Sequence, residues 1–122
     1  MASFLEIHTR KNVAGDSLGS TVLYTTEDGD KSFHPVAVIF EMVDQGGSTA
    51  NAYWSFGTNS TDYNNVRGTT PDPAITGITQ MTTTNGIVVP PSTDIFVKLV
   101  ELASPSAPGR VVTVSIVGFY DC

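Results

Sequence analysis

Two histidines, twelve acidic residues and one cysteine are the groups from which this 122-residue sequence could build catalytic or metal chemistry. A histidine base needs a nucleophile within hydrogen-bond reach and a third group to orient it. His8 falls on the polar side of an alternating segment, and His34 directly precedes Pro35. Neither adjoins a Gly-x-Ser-x-Gly elbow, so solvated or hydrogen-bonded histidines are the plainer reading. Paired carboxylates could cleave glycosidic bonds. The acids, however, sit mostly in turn-forming stretches, at Asp16, Glu27, Asp28, Asp30, Asp44, Asp62 and Asp72. Aspartates in turns ordinarily bond their own backbone. No catalytic residue is assigned, and the chain reads as a protein that is not an enzyme.

Metal and cofactor chemistry fares no better. Glu27-Asp28-Gly29-Asp30 could offer oxygen ligands to calcium, but it lacks the register of an EF-hand loop and alone supplies few ligands. A hairpin tip is the simpler account. Cys122 is the single thiol, which rules out a disulfide or a multi-cysteine metal site within this chain. Gly46-Gly47 is followed by Ser48-Thr49-Ala50, with neither a lysine nor a helix to receive a phosphate. No metal and no cofactor is expected.

Binding chemistry is better represented. Tyr53, Asp62, Tyr63 and Asn64 combine aromatic rings with carboxylate and carboxamide groups. Such a set can pack on the C–H faces of a sugar while accepting or donating to its hydroxyls, and Tyr also anchors protein interfaces. These four are the candidate partner or glycan contacts. Trp54 and Phe56 share a parity on their strand and read as core.

The elements that must position these groups are strands. Leu5 and Ile7 alternate with Glu6 and His8 over Phe4 to Thr9, predicting a strand with one wet face before a loop from Asn12 to Gly19. Thr21 to Thr25 is a second strand, and Val36 to Val43 is apolar at nearly every position, as for a central strand covered on both faces. Ala52 to Gly57 follows, then a long polar loop from Thr58 to Pro73 with an extended piece near Tyr63 to Val66. Weak alternation from Ile75 to Thr84 leads through the turn signal Asn85-Gly86 to a strand at Ile87 to Val89. Ile95, Val97 and Leu99 share a face in the next strand, with Glu101 in the same register. Ser104 to Gly109 reads as a rigid exposed loop, and the last strand sets Val112, Val114 and Ile116 opposite Thr113 and Ser115. The pattern predicts one all-β domain over residues 1–122, an antiparallel β-sandwich of seven to eight strands with jelly-roll connections.

Totals agree. The apolar share is 40%, and the charged share of 15% lies below the usual ~25%, with Thr, Ser, Asn and Gly supplying polarity. Net charge is −6, and the six cations are scattered, which argues against nucleic-acid binding and against an anionic membrane surface. No stretch approaches the ~18 apolar residues needed to span a bilayer. Met1 to Lys11 has its basic residues after its apolar patch, the reverse of a secretory signal, so synthesis and folding in a cytoplasm are expected.

Laid out in this way, the chain resembles small jelly-roll proteins of tailed bacteriophage virions, the capsid decoration (cement) proteins and tail-fibre tips. The resemblance is carried by the strand Val36 to Val43, by Trp54-Ser55-Phe56-Gly57-Thr58-Asn59 opening a long loop, and by the closing Val112 to Tyr120. It implies a homotrimer made in a bacterial host's cytoplasm and seated on the major capsid protein or another virion protein, bridging capsomers to stabilise the head. Met1 to Phe4 and the Ser104 to Gly109 loop would be its grips. A receptor- or glycan-binding module, such as a fibre tip or lectin-like domain, is the alternative.

Overall fold

A computed structural model of the chain describes residues 6–58, 70–71, 77–83 and 87–121. Every regular element within them is a strand: β1 (Glu6–Ala14), β2 (Gly19–Thr25), β3 (Phe33–Asp44), β4 (Tyr53–Gly57), β5 (Thr70–Pro71), β6 (Gly77–Thr83), β7 (Asp94–Glu101) and β8 (Val111–Tyr120). They pair as the rungs of one long hairpin, β1 with β8, β2 with β7, β3 with β6 and β4 with β5, all antiparallel. Folding that hairpin over brings β8 beside β3 and β7 beside β4. The result is two four-stranded sheets in the orders β1-β8-β3-β6 and β2-β7-β4-β5. This is a jelly-roll sandwich, as the sequence predicts.

Period-two alternation decides what fills it. Val38, Phe40 and Met42 on β3 and Val112, Val114 and Ile116 on β8 are buried in one cluster with Trp54 and Phe56 on β4 and Ile95, Val97 and Leu99 on β7. Phe40 and Trp54 meet across the sheets with ring centroids 5.7 Å apart, a tilted pairing that adds ~0.5–1.5 kcal/mol to area burial. The opposite parity faces outward. Thr113 and Ser115 on β8 are nevertheless buried. The reason is a lid: Arg10 of β1 reaches over β8 to Glu41 of β3, Nη2 to Oε1 at 2.9 Å, while Thr113 donates to Asn12 Oδ1 at 2.6 Å. Small hydroxyl residues in the middle strand leave the room that these longer flanking side chains close over.

Several details differ from the sequence expectation. β1 runs on to Ala14, because Lys11 donates to the carbonyl of Val22 and Val13 reaches the core, so its polar residues belong to strand geometry. Ile7 is 57% exposed, at a register shift in β1, and does not mark a buried side. Val36 to Val43 is central in its sheet but only partly covered on its outer face: Ala37 is buried there, Ile39 is half-buried and Val43 is 50% exposed. Thr70 and Pro71, read as loop, pair with Trp54 and Tyr53 as a sheet edge. Val89 makes only an isolated bridge to Phe33. Pro90 and Pro91 follow it without donors to continue a ladder. The Ser104 to Gly109 loop is not wholly exposed, since Ala107 is buried beneath it.

Candidate functional site

Of the four residues singled out for binding, Tyr53 lies within the described structure, while Asp62, Tyr63 and Asn64 lie outside the described residues. Tyr53 opens β4, half-buried, opposite Glu101 at the end of β7. Strand alternation turns it away from the buried Trp54, and a register shift between the two sets Glu101 opposite it in place of Val100. It lines an open depression of about 540 Å3 together with Ala50, Asn51, Glu101, Leu102 and Ser104. The walls therefore come from two loops, β3–β4 and β7–β8, and from the strand ends they join.

Those loops are bound to each other from beneath. Ser48, itself buried, donates its hydroxyl to the carbonyl of Pro105 at 2.8 Å and accepts from the amide of Ala50 at 3.2 Å. Arg110, 0% exposed, donates Nε to the carbonyl of Gln45 at 3.0 Å and Nη2 to that of Ser48 at 2.8 Å. The guanidinium fork is suited to this, because its donors leave a planar group at fixed angles. Gly46 completes the join. Its φ of +67° belongs to the left-handed region, and a Cβ there would lie 2.7 Å from the carbonyl oxygen of Ala107. Polar groups buried in this way hold the depression's two rims in one arrangement.

A second depression, of about 390 Å3, lies at the other end of β8 between Glu6, Glu27, Asp28, Asp30, Lys31, Tyr120 and Asp121. The Glu27 to Asp30 turn is tied down there. Ser92 Oγ donates to Asp28 Oδ1, the amide of Ser92 donates to the Glu27 carbonyl at 3.2 Å, and the Glu27 amide donates to the Tyr120 hydroxyl at 2.8 Å. Among the described residues no group of three or more His, Cys, Asp or Glu side chains is arranged to hold a metal ion.

His34 stacks on Phe119 with centroids 4.8 Å apart, and its Nε2 lies 2.9 Å from Asp121 Oδ1. Despite that distance the contact does not meet hydrogen-bond geometry. Among the described residues no hydroxyl or thiol joins this pair, and the arrangement lacks a nucleophile.

Beneath the acidic depression, the Tyr24 and Tyr120 hydroxyls share a 2.6 Å hydrogen bond, with Phe33 tilted against both rings. Burial first, and then the hydrogen bond to Tyr120, raise the Tyr24 phenol above the ordinary tyrosine range. The neutral form is the one the fold favours. Its contribution is therefore fully present below the unfolded value of about 10 and is lost as pH rises beyond it. Denaturant titrations are expected to show stability falling above about pH 10, and Tyr24→Phe is expected to flatten that fall. An unchanged slope in the variant would contradict this assignment.

Sequence reading missed Asn51, Glu101, Leu102 and Ser104 as neighbours of Tyr53. Strand parity had set Glu101 beside Leu99, and the register shift at Tyr53 is not written in residue types. Comparison with known proteins assigns nothing further: no known protein family matches the chain, and no curated protein is significantly similar to it.

Proposed function

We propose that the chain is a non-enzymatic structural protein of a virion, a decoration protein that assembles as a homotrimer on a phage head and bridges capsomers. The observation that carries this reading is the outer face of the β1-β8-β3-β6 sheet. A strand apolar at nearly every position is the signature of a strand covered on both sides. In β3 the inner side packs on the core, while half-buried Ile39 and exposed Val43 face away from it, and register sets exposed Ile7 in a row with half-buried Val117 and buried Ala37 across the same face. A sheet that keeps apolar residues on its outer face gains by having another protein laid on it.

The jelly-roll strand order supports the reading by analogy of fold, since viral capsid proteins use the same arrangement, although fold by itself does not assign function. Rigid sheets with tied loops also suit a protein that works by bridging. Its contribution would be buried area, with standard interfaces covering about 800 Å2 per partner and several acting together in a trimer. The experiment that tests this is recovery of the chain with purified virions of the phage that encodes it. The expected result is a copy number comparable to that of the major capsid protein. A few copies per particle would instead place it at a fibre tip.

A further inference from the structure

We propose that the depression at Tyr53 is a binding site for a neutral oligosaccharide. It is open and about 540 Å3 in volume, within the ~300–1,000 Å3 usual for small-molecule sites. Its lining supplies the three kinds of group that sugar recognition needs. Tyr53 and Leu102 offer apolar surface, Leu102 being 43% exposed at the rim, and the electron-rich face of a tyrosine ring suits the polarised C–H groups of a pyranose. Asn51 brings both donor and acceptor, and Glu101 brings a strong acceptor for a pair of hydroxyls. Ser104 adds a hydroxyl that serves in either sense.

Charge selects among sugars. Among the described residues the ionisable groups of the lining are the phenol of Tyr53 and the carboxylate of Glu101, with no cation beside them, and the chain carries −6 overall. A sialylated or sulfated glycan would meet the like charge of Glu101, so the site favours uncharged sugars. Preorganisation makes so open a site workable. The loops that carry Asn51 and Ser104 are joined through Ser48 and Arg110, so binding does not have to order them. This inference is independent of a role on a capsid, since a protein fixed by one face could present this site on another.

The test is saturation-transfer and chemical-shift NMR on the whole chain, with maltotriose, cellotriose and triacetylchitotriose as probes and 6′-sialyllactose as the acidic counterpart. At least one neutral trisaccharide is expected to bind and to shift the side-chain amide of Asn51, with the sialylated sugar weaker. Tyr53→Ala is expected to weaken that binding by about tenfold or more, and Tyr53→Phe, which keeps the ring, by no more than about threefold. Because Tyr53→Ala removes half-buried surface, its fold is checked by circular dichroism. Should it not fold, Glu101→Gln serves in its place and is expected to narrow the preference for neutral over sialylated sugar. Failure of all three neutral sugars to bind would overturn the proposal. So would binding that leaves Asn51 unshifted, or that persists unchanged in a folded Tyr53→Ala or, where that variant does not fold, keeps its full charge preference in Glu101→Gln. Such outcomes leave the virion reading standing, just as absence from virions would leave this one.

Discussion

Replacing Arg110 with Met is expected to destabilise the protein by about 3–5 kcal/mol, read as a lower denaturant midpoint at unchanged slope. The side chain is fully buried, and its guanidinium donates to two main-chain carbonyls in the turn after β3. Hydrogen bonds from a charged donor are worth about 1.5–3 kcal/mol each, and the abandoned Ser48 carbonyl stays buried without its donor, that of Gln45 partly so. Buried charges can sometimes be exchanged for apolar residues without loss, but only when both partners change together. Here one partner is backbone and remains. Arg110→Lys is expected to lose nearly as much, because a single ammonium cannot address both carbonyls with the fork's geometry. A loss below about 1 kcal/mol in Arg110→Met would show that the turn is held by other means.

Gly118→Ala is expected to cost about 2–3 kcal/mol by overpacking. Gly118 stands in β8 opposite Pro35, and a Cβ built there would lie 2.5 Å from the His34 carbonyl oxygen and 2.5 Å from Cζ of Phe33. Neither neighbour can yield cheaply. The oxygen belongs to a central strand, and the ring is wholly buried, 5.2 Å from Tyr24 and 5.1 Å from Tyr120 by centroids. One methyl would push Phe33 into the Tyr24–Tyr120 hydrogen bond. Equilibrium denaturation of the variant checks this, and near-native stability would mean that β8 shifts to make room.

Much of the sandwich was legible in the sequence because period-two alternation is a property of neighbouring residues. Val112, Val114 and Ile116 against Thr113 and Ser115, and Trp54 with Phe56, needed no more than parity. The turn around Gly29 was marked by composition. What stayed hidden depends on partners distant in sequence. The extension of β1 through Arg10, Lys11 and Asn12 rests on Glu41, Val22 and Thr113, which local pattern does not reveal. Arg110 looked like one of six scattered cations, and only the fold shows it as the pin between two loops. The binding group was half legible. Tyr53 was found by its chemistry, but its neighbours Asn51 and Glu101 come from loop closure and a register shift. The apolar β3 was read as doubly covered, and its partly exposed outer face, with Val43 at its end, became the main support for the proposed role.

That role is tested most directly by photo-cross-linking from position 43 within purified virions of the encoding phage. A photoreactive residue replacing Val43 on the outer face of β3 is expected to join this chain to the major capsid protein or to a second copy of itself. Cross-links absent from every intact particle, or the chain's absence from the particles altogether, would contradict the proposal that this face is built to be covered.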